Sequence, residues 1–81
     1  MDAFEKVLGR VIAQRRKTVG MSQEAVAFRC KLHPTYISQL ERGLKSPTIR
    51  VLRLIAEALD TSASELLMAA ESEGANRPVD E

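Results

Sequence analysis

The sequence predicts an all-α fold of five short helices in one domain, and three observations predict it. Apolar residues recur at helical spacing through Phe4, Val7, Leu8, Val11 and Ile12, and again through Ile49, Leu52, Ile55, Ala56 and Leu59. Residues that open or close helices punctuate the chain at Gly20, Ser22, Pro34, Gly43, Thr48 and Ser62. No segment shows the alternation of a half-buried strand. With 81 residues, the chain buries only about 60% of its unfolded surface, so the core is small and a partner subunit would add stability.

The first amphipathic helix is expected from Asp2 to Val19, with Gly20 as its stop. Its last turn carries Gln14, Arg15, Arg16 and Lys17, cations that suit the helix dipole in any protein. Ser22 is a good N-cap for a second helix ending near Arg29, with Val26, Ala27 and Cys30 facing inward. The turn that follows often needs a glycine at positive φ, and Lys31 stands there instead. His33 takes the cap position of a third helix and Pro34 its first residue, where a missing N–H costs nothing. Gly43 closes it. Thr48 caps a fourth helix through Leu59, with Val51 and Leu54 on a neighbouring stripe. Ser62 and Glu65 form a capping box for a fifth helix, Ala63 to about Ser72. Residues 1–72 therefore make the domain. The stretch 73–81, with Gly74, Asn76, Pro78 and three acids, is expected to be a flexible acidic tail.

Composition excludes several classes. The longest apolar run, Leu66 to Ala70, is far too short to span a bilayer. The start MDAFEKV lacks the basic and apolar stretches of a signal peptide, so a cytoplasmic location is expected. The single cysteine, Cys30, has no disulfide partner and no companion for a metal, and reads as a small buried hydrophobe. One histidine, one cysteine and no convergent acid-base set argue against an enzyme. No cofactor, metal or small-molecule ligand is implied.

The formal charge of +1 conceals a division. From Arg10 to Arg53 ten Lys/Arg face two acids, Glu24 and Glu41, a net of +8; from Leu54 onward the net is −6. The second and third helices lie inside the basic part, as a polyanion-binding module requires. On the third helix Ile37 and Leu40 can face a core, which leaves Thr35, Ser38, Gln39 and Arg42 on other faces. Short or forked polar groups of this kind read base edges and hold phosphates. The pair reads as a helix-turn-helix with Pro34–Arg42 as the recognition helix.

SQEAVAFRC, HPTYISQLERG, SPTIRVLRLIAEAL and SASELL together resemble the helix-turn-helix domain of phage Cro and repressor proteins, the XRE family. The resemblance covers about Val7 to Leu67 and implies a five-helix, lambda-repressor-like fold. Within the family, the size, the TYIS run and the ERG loop most resemble the small restriction-modification controller proteins, which act as homodimers. The resemblance implies that Thr35, Ser38, Gln39 and Pro34 face the bases. It implies phosphate contacts from Gln23, Tyr36, Arg42 and Lys45, and Arg15 is an added candidate in the basic turn. Arg16 and Glu41 match an ion pair that fixes the first helix against the recognition helix. Proline at position 34 departs from relatives that read a base there with Arg or Gln, so shape readout should carry a larger share of specificity.

Two functions are consistent with this reading. The first is a sequence-specific, dimeric transcription regulator on a pseudo-palindromic DNA site, with Val51, Leu54, Leu67 and Met68 as interface candidates. Ordinary core packing is the competing role for each of those four. The second is a protein-interaction module of the same fold, of antitoxin or coactivator type. The basic segment disfavours it, because protein interfaces are depleted in lysine and centred on aromatics, and this chain has only Phe4, Phe28 and Tyr36.

Overall fold

A computed structural model describes residues 3–75 as five helices, and no strand occurs among them. They are α1 (Phe4–Thr18), α2 (Gln23–Cys30), α3 (Pro34–Glu41), α4 (Ile49–Ala58) and α5 (Ala63–Ala75). The helices pack as a ring: α1 on α3 and α5, α2 on α3 and α4, and α4 on α5. The six most deeply buried large side chains, Ile12, Val26, Ile37, Leu40, Ile55 and Leu59, come from the first four helices or the end of the fourth. A single apolar centre thus holds both members of the α2–α3 pair.

Local sequence sets the ends. The Ser22 hydroxyl accepts the Ala25 N–H at 3.0 Å, and Thr48 accepts that of Val51 at 3.1 Å, so each cap satisfies one otherwise orphaned donor. At the end of α1, Gly20 takes φ 77° and lets the Met21 N–H reach back to the Arg16 carbonyl at 3.1 Å. Lys31 does adopt the left-handed conformation, φ 57° and ψ 42°, and the Leu32 N–H then bonds the Ala27 carbonyl at 2.9 Å. Asp60 adopts it as well, at φ 59°, after α4.

Three expectations need correction, and a fourth falls partly outside the described residues. Residues 1 and 2 lie outside the described residues, so α1 is described only from Phe4. Ile49 is 77% exposed, because the first turn of α4 overhangs the core that Leu52, Ile55, Ala56 and Leu59 fill. The capping box at Ser62 is half formed: its hydroxyl accepts the Glu65 N–H at 3.1 Å, but the Glu65 carboxylate takes the Thr61 hydroxyl instead of returning to Ser62. Finally, α5 continues through Ala75, beyond its expected end near Ser72, and Glu73 within it bonds Arg10 of α1 at 3.2 Å. The rest of the acidic tail, residues 76–81, lies outside the described residues.

Candidate nucleic-acid interface

The geometry of α3 follows from what its ends and one buried stripe dictate. Pro34 at the first position has no N–H to satisfy, and His33 Nδ1 accepts the Thr35 N–H at 3.1 Å, so the helix starts without a dangling donor. Ile37 and Leu40, 1% and 2% exposed, sink into the core and turn the opposite side outward. Thr35 and Arg42 are exposed there, and Pro34, Ser38 and Gln39 are half-exposed. Among the described residues, no intramolecular hydrogen bond engages the Thr35, Ser38 or Gln39 side chains. A row of uncommitted donors and acceptors therefore faces water. Lys45, in the loop after α3, is also exposed, whereas Tyr36 rests partly against the core.

The back of the helix is held by one carboxylate. Glu41, the last residue of α3, is the one buried charged residue among those described, with a side chain 6% exposed. Arg16 of α1 donates to it twice, Nε to Oε2 at 2.7 Å and Nη2 to Oε1 at 3.1 Å, and gives Nη1 to the Met21 carbonyl at 2.9 Å. This forked geometry is the strong form of an Arg–carboxylate pair. The hydrogen bond to Glu41 pushes the Arg16 guanidinium above its ordinary pKa; burial opposes this, and the charges of Glu41 and Glu24 add to it. The pair expected between α1 and the recognition helix is present.

Two residues expected on phosphates are engaged within the fold. Arg15 donates Nε to the Leu59 carbonyl at 2.9 Å and Nη2 to the Asp60 carbonyl at 2.6 Å, so it caps the end of α4. Bonded to two backbone carbonyls, the Arg15 side chain ties α1 to the end of α4. Gln23 is half-buried and gives its amide N–H to Glu41 Oε1 at 2.9 Å. Neither partner could be found from spacing, since both contacts join residues far apart in the chain.

One participant went unrecognised in the sequence. Gly9 is buried in mid-helix α1, and a Cβ there would collide with the carbonyl oxygens of Leu40 and Glu41. The backbone of α1 thus lies directly against the end of α3. A lone glycine inside an otherwise regular apolar pattern was the available signal, because such a residue commonly marks close backbone approach. Cys30 is buried as expected; burial, and then the charge of Glu57, push its thiol up from the ordinary value.

Of the interface candidates, Val51 and Leu67 pack partly against the core, while Leu54 and Met68 are 38% and 64% exposed. Beside Leu54 runs a groove of about 670 Å³, open to solvent and lined also by Ile49, Arg50, Arg53 and Glu57. No cluster of potential metal ligands occurs among the described residues, and no described helix is long and apolar enough to cross a membrane.

With these features in view, similarity to known proteins decides the family. A family model described as helix-turn-helix matches residues 12–66, which span both members of the pair and the core that carries them. The chain belongs to the XRE-type helix-turn-helix family. Control protein C.BamHI from Bacillus amyloliquefaciens is 39% identical over 62 residues, covering 75% of this chain and 76% of that one. The crystal structure of the restriction-modification controller C.AhdI from Aeromonas hydrophila aligns with a TM-score of 0.74 at 31% identity, over 76% of this chain and 94% of that one. The clp gene regulator ClgR from Corynebacterium glutamicum aligns at 0.87 and 26% identity, over 95% of this chain and all of that one. This helix-turn-helix protein is a DNA-binding regulator and not an enzyme. Its α2 and α3 form the motif, and Arg16–Glu41 binds the motif to α1.

Proposed function

We propose that the protein is a sequence-specific transcription regulator that binds a pseudo-palindromic operator as a homodimer, with the recognition helix, Pro34 to Arg42, in the major groove. The observation that carries this reading is the face of α3: Thr35, Ser38 and Gln39 are unburied, and among the described residues their side chains make no intramolecular hydrogen bond. A glutamine amide can bind adenine through two atoms at once, and threonine offers a hydroxyl together with a methyl that suits thymine. Pro34 supplies apolar contact only. Arg42 and Lys45, exposed at the end of the same helix and in the loop beyond, supply phosphate contacts that fix its register.

Dimerisation follows from size. One short helix reads only a few base pairs, and nanomolar specific affinity requires more contacts than that. Two copies related by a two-fold axis supply them, with recognition helices about 34 Å apart. Leu54 and Met68 are the exposed candidates for that interface, joined by Ile49. Val51 and Leu67, partly buried against the core, are the remaining candidates.

Binding to duplex DNA at increasing salt tests the reading. The logarithm of affinity should fall linearly with the logarithm of salt, with a slope of about −0.9 per phosphate contacted. A flat response would contradict it and would favour a protein partner on the α3 face.

A further inference from the structure

The basic stretch legible in the sequence begins at Arg10, yet the fold brings one earlier cation to its edge. Gly43, which follows α3 at φ 75°, has no side chain to hold α1 away. A Cβ there would lie 2.5 Å from Lys6 Cγ and 2.7 Å from Lys6 Cα, so the first turn of α1 rests directly on the loop backbone. That loop is itself fixed to α3, since the Gly43 N–H bonds the Leu40 carbonyl at 3.1 Å and the Leu44 N–H bonds that of Gln39 at 2.9 Å. The Lys6 ammonium is only three bonds beyond Cγ, so it stays beside the loop that bears Arg42 and Lys45. Lys6, Arg42 and Lys45 are all exposed, and among the described residues no hydrogen bond or ion pair engages their side chains. Neighbouring acids do not balance them. Glu41 is taken by Arg16 and Gln23, and Glu5, next to Lys6 in the chain, projects from another side of α1.

We propose that Lys6, at the start of α1, is a further phosphate-binding residue of the DNA interface, acting with Arg42 and Lys45 on the backbone beside the groove that α3 enters. This rests on the DNA-reading function proposed above, in which Arg42 and Lys45 hold phosphates. Like charges gathered on one edge of a small fold repel, and an anion placed among them removes that cost while the duplex releases its own counterions. A lysine ammonium suits this task, because it is a compact charge on a flexible stem and needs no single direction of approach. The stem of Lys6 is held where it rests on Gly43, and α1 is held to α3 by the Arg16–Glu41 pair, so the charge travels with the reading face. A phosphate contact carries no sequence information. Lys6 should therefore add equally to binding at every site.

The test uses the full chain, with a preferred duplex selected from a random pool and a mixed-sequence duplex, each titrated over a tenfold range of salt. Lys6→Gln, which keeps a polar stem on Gly43 without the charge, is expected to make the slope of log affinity against log salt shallower by about 0.9 per protomer, for both duplexes alike. Across that range the change amounts to about eightfold weaker binding per protomer at the low-salt end relative to the high-salt end. Lys6→Arg keeps the charge and should retain the wild-type slope and affinity. An unchanged slope in Lys6→Gln, a loss confined to the preferred duplex, or an equal loss in Lys6→Arg would each overturn the assignment. The two readings fail differently. Wild-type binding that ignores salt would remove the DNA-reading function and Lys6 with it, whereas a steep wild-type slope kept intact in Lys6→Gln would remove Lys6 alone.

Discussion

A carboxylate at the last residue of a helix faces the negative end of its dipole, so Glu41 stands where local helix physics disfavours it. Its three N–H donors, two from Arg16 and one from Gln23, are what make that position tenable. Removing one member of a buried pair leaves the other uncompensated. Glu41→Ala should therefore destabilise the fold by about 3 kcal/mol, whereas replacing Arg16 and Glu41 together with apolar residues of similar volume should cost much less. Urea denaturation of the single and double variants checks this; equal losses would show that charge compensation is not the issue. Cys30 gives a second expectation. Its thiol is pushed up in the folded state, so the unfolded chain loses this proton first as pH rises past the ordinary value of 9.0. Stability from this group is intact below that value and declines above it, until the folded thiol also ionises. Cys30→Ala should flatten the alkaline side of the stability profile relative to wild type; parallel profiles would contradict it. At this scale the sequence was informative wherever a residue acts through its own type. The α3 face, the Arg16–Glu41 pair and the His33 cap were all legible. The destinations of Arg15 and Gln23 were not, because a guanidinium or an amide suits a phosphate, a helix end or a carboxylate equally well, and only the fold determines which is near.

Helix ends were legible for a related reason. Ser22, His33, Thr48 and Ser62 cap through hydrogen bonds spanning two or three residues, so the signal and its partner share one short stretch. The left-handed Lys31 was legible too, from the turn requirement alone. Lys31→Gly should stabilise the protein by about 1 kcal/mol, relief of left-handed strain outweighing the greater freedom of glycine in the unfolded chain. A drop in melting temperature would mean that the lysine stem contributes packing that its exposure does not suggest. What the sequence hid at this scale was the relation of one helix to another. Ile49 fits the apolar repeat of α4 but hangs beyond the core, and Glu73 sits in a stretch of tail-like composition yet lies within α5 and pairs with Arg10. Gly9 shows the same limit most sharply. Its lack of a side chain allows α1 to meet the carbonyls of Leu40 and Glu41. Gly9→Ala would force backbone apart and should cost about 1–3 kcal/mol despite the better helix propensity of alanine. Thermal melting decides the sign, and a stabilised variant would show that α1 can shift without loss.

For the molecule as a whole, the division of charge places the helix-turn-helix pair in the basic part of the chain and most of the acids beyond it. A net positive charge on that part of the chain favours association with a polyanion. The small core leaves Ile49, Leu54 and Met68 in water, a loss that a second copy would recover. Paired Leu54→Glu and Met68→Glu substitutions should convert a dimer to a folded monomer in sedimentation at micromolar concentration and abolish operator binding. A wild-type protein that sediments as a monomer and binds DNA as one would remove the two-fold account. The central claim is that the outward side of α3 reads bases, and selection from a random duplex pool by wild type and Gln39→Ala tests it most directly. Wild type should enrich a two-fold symmetric site, and Gln39→Ala should enrich the same site with preference relaxed at one base pair in each half. Identical sites from the two proteins, with every position equally sharp, would contradict the claim.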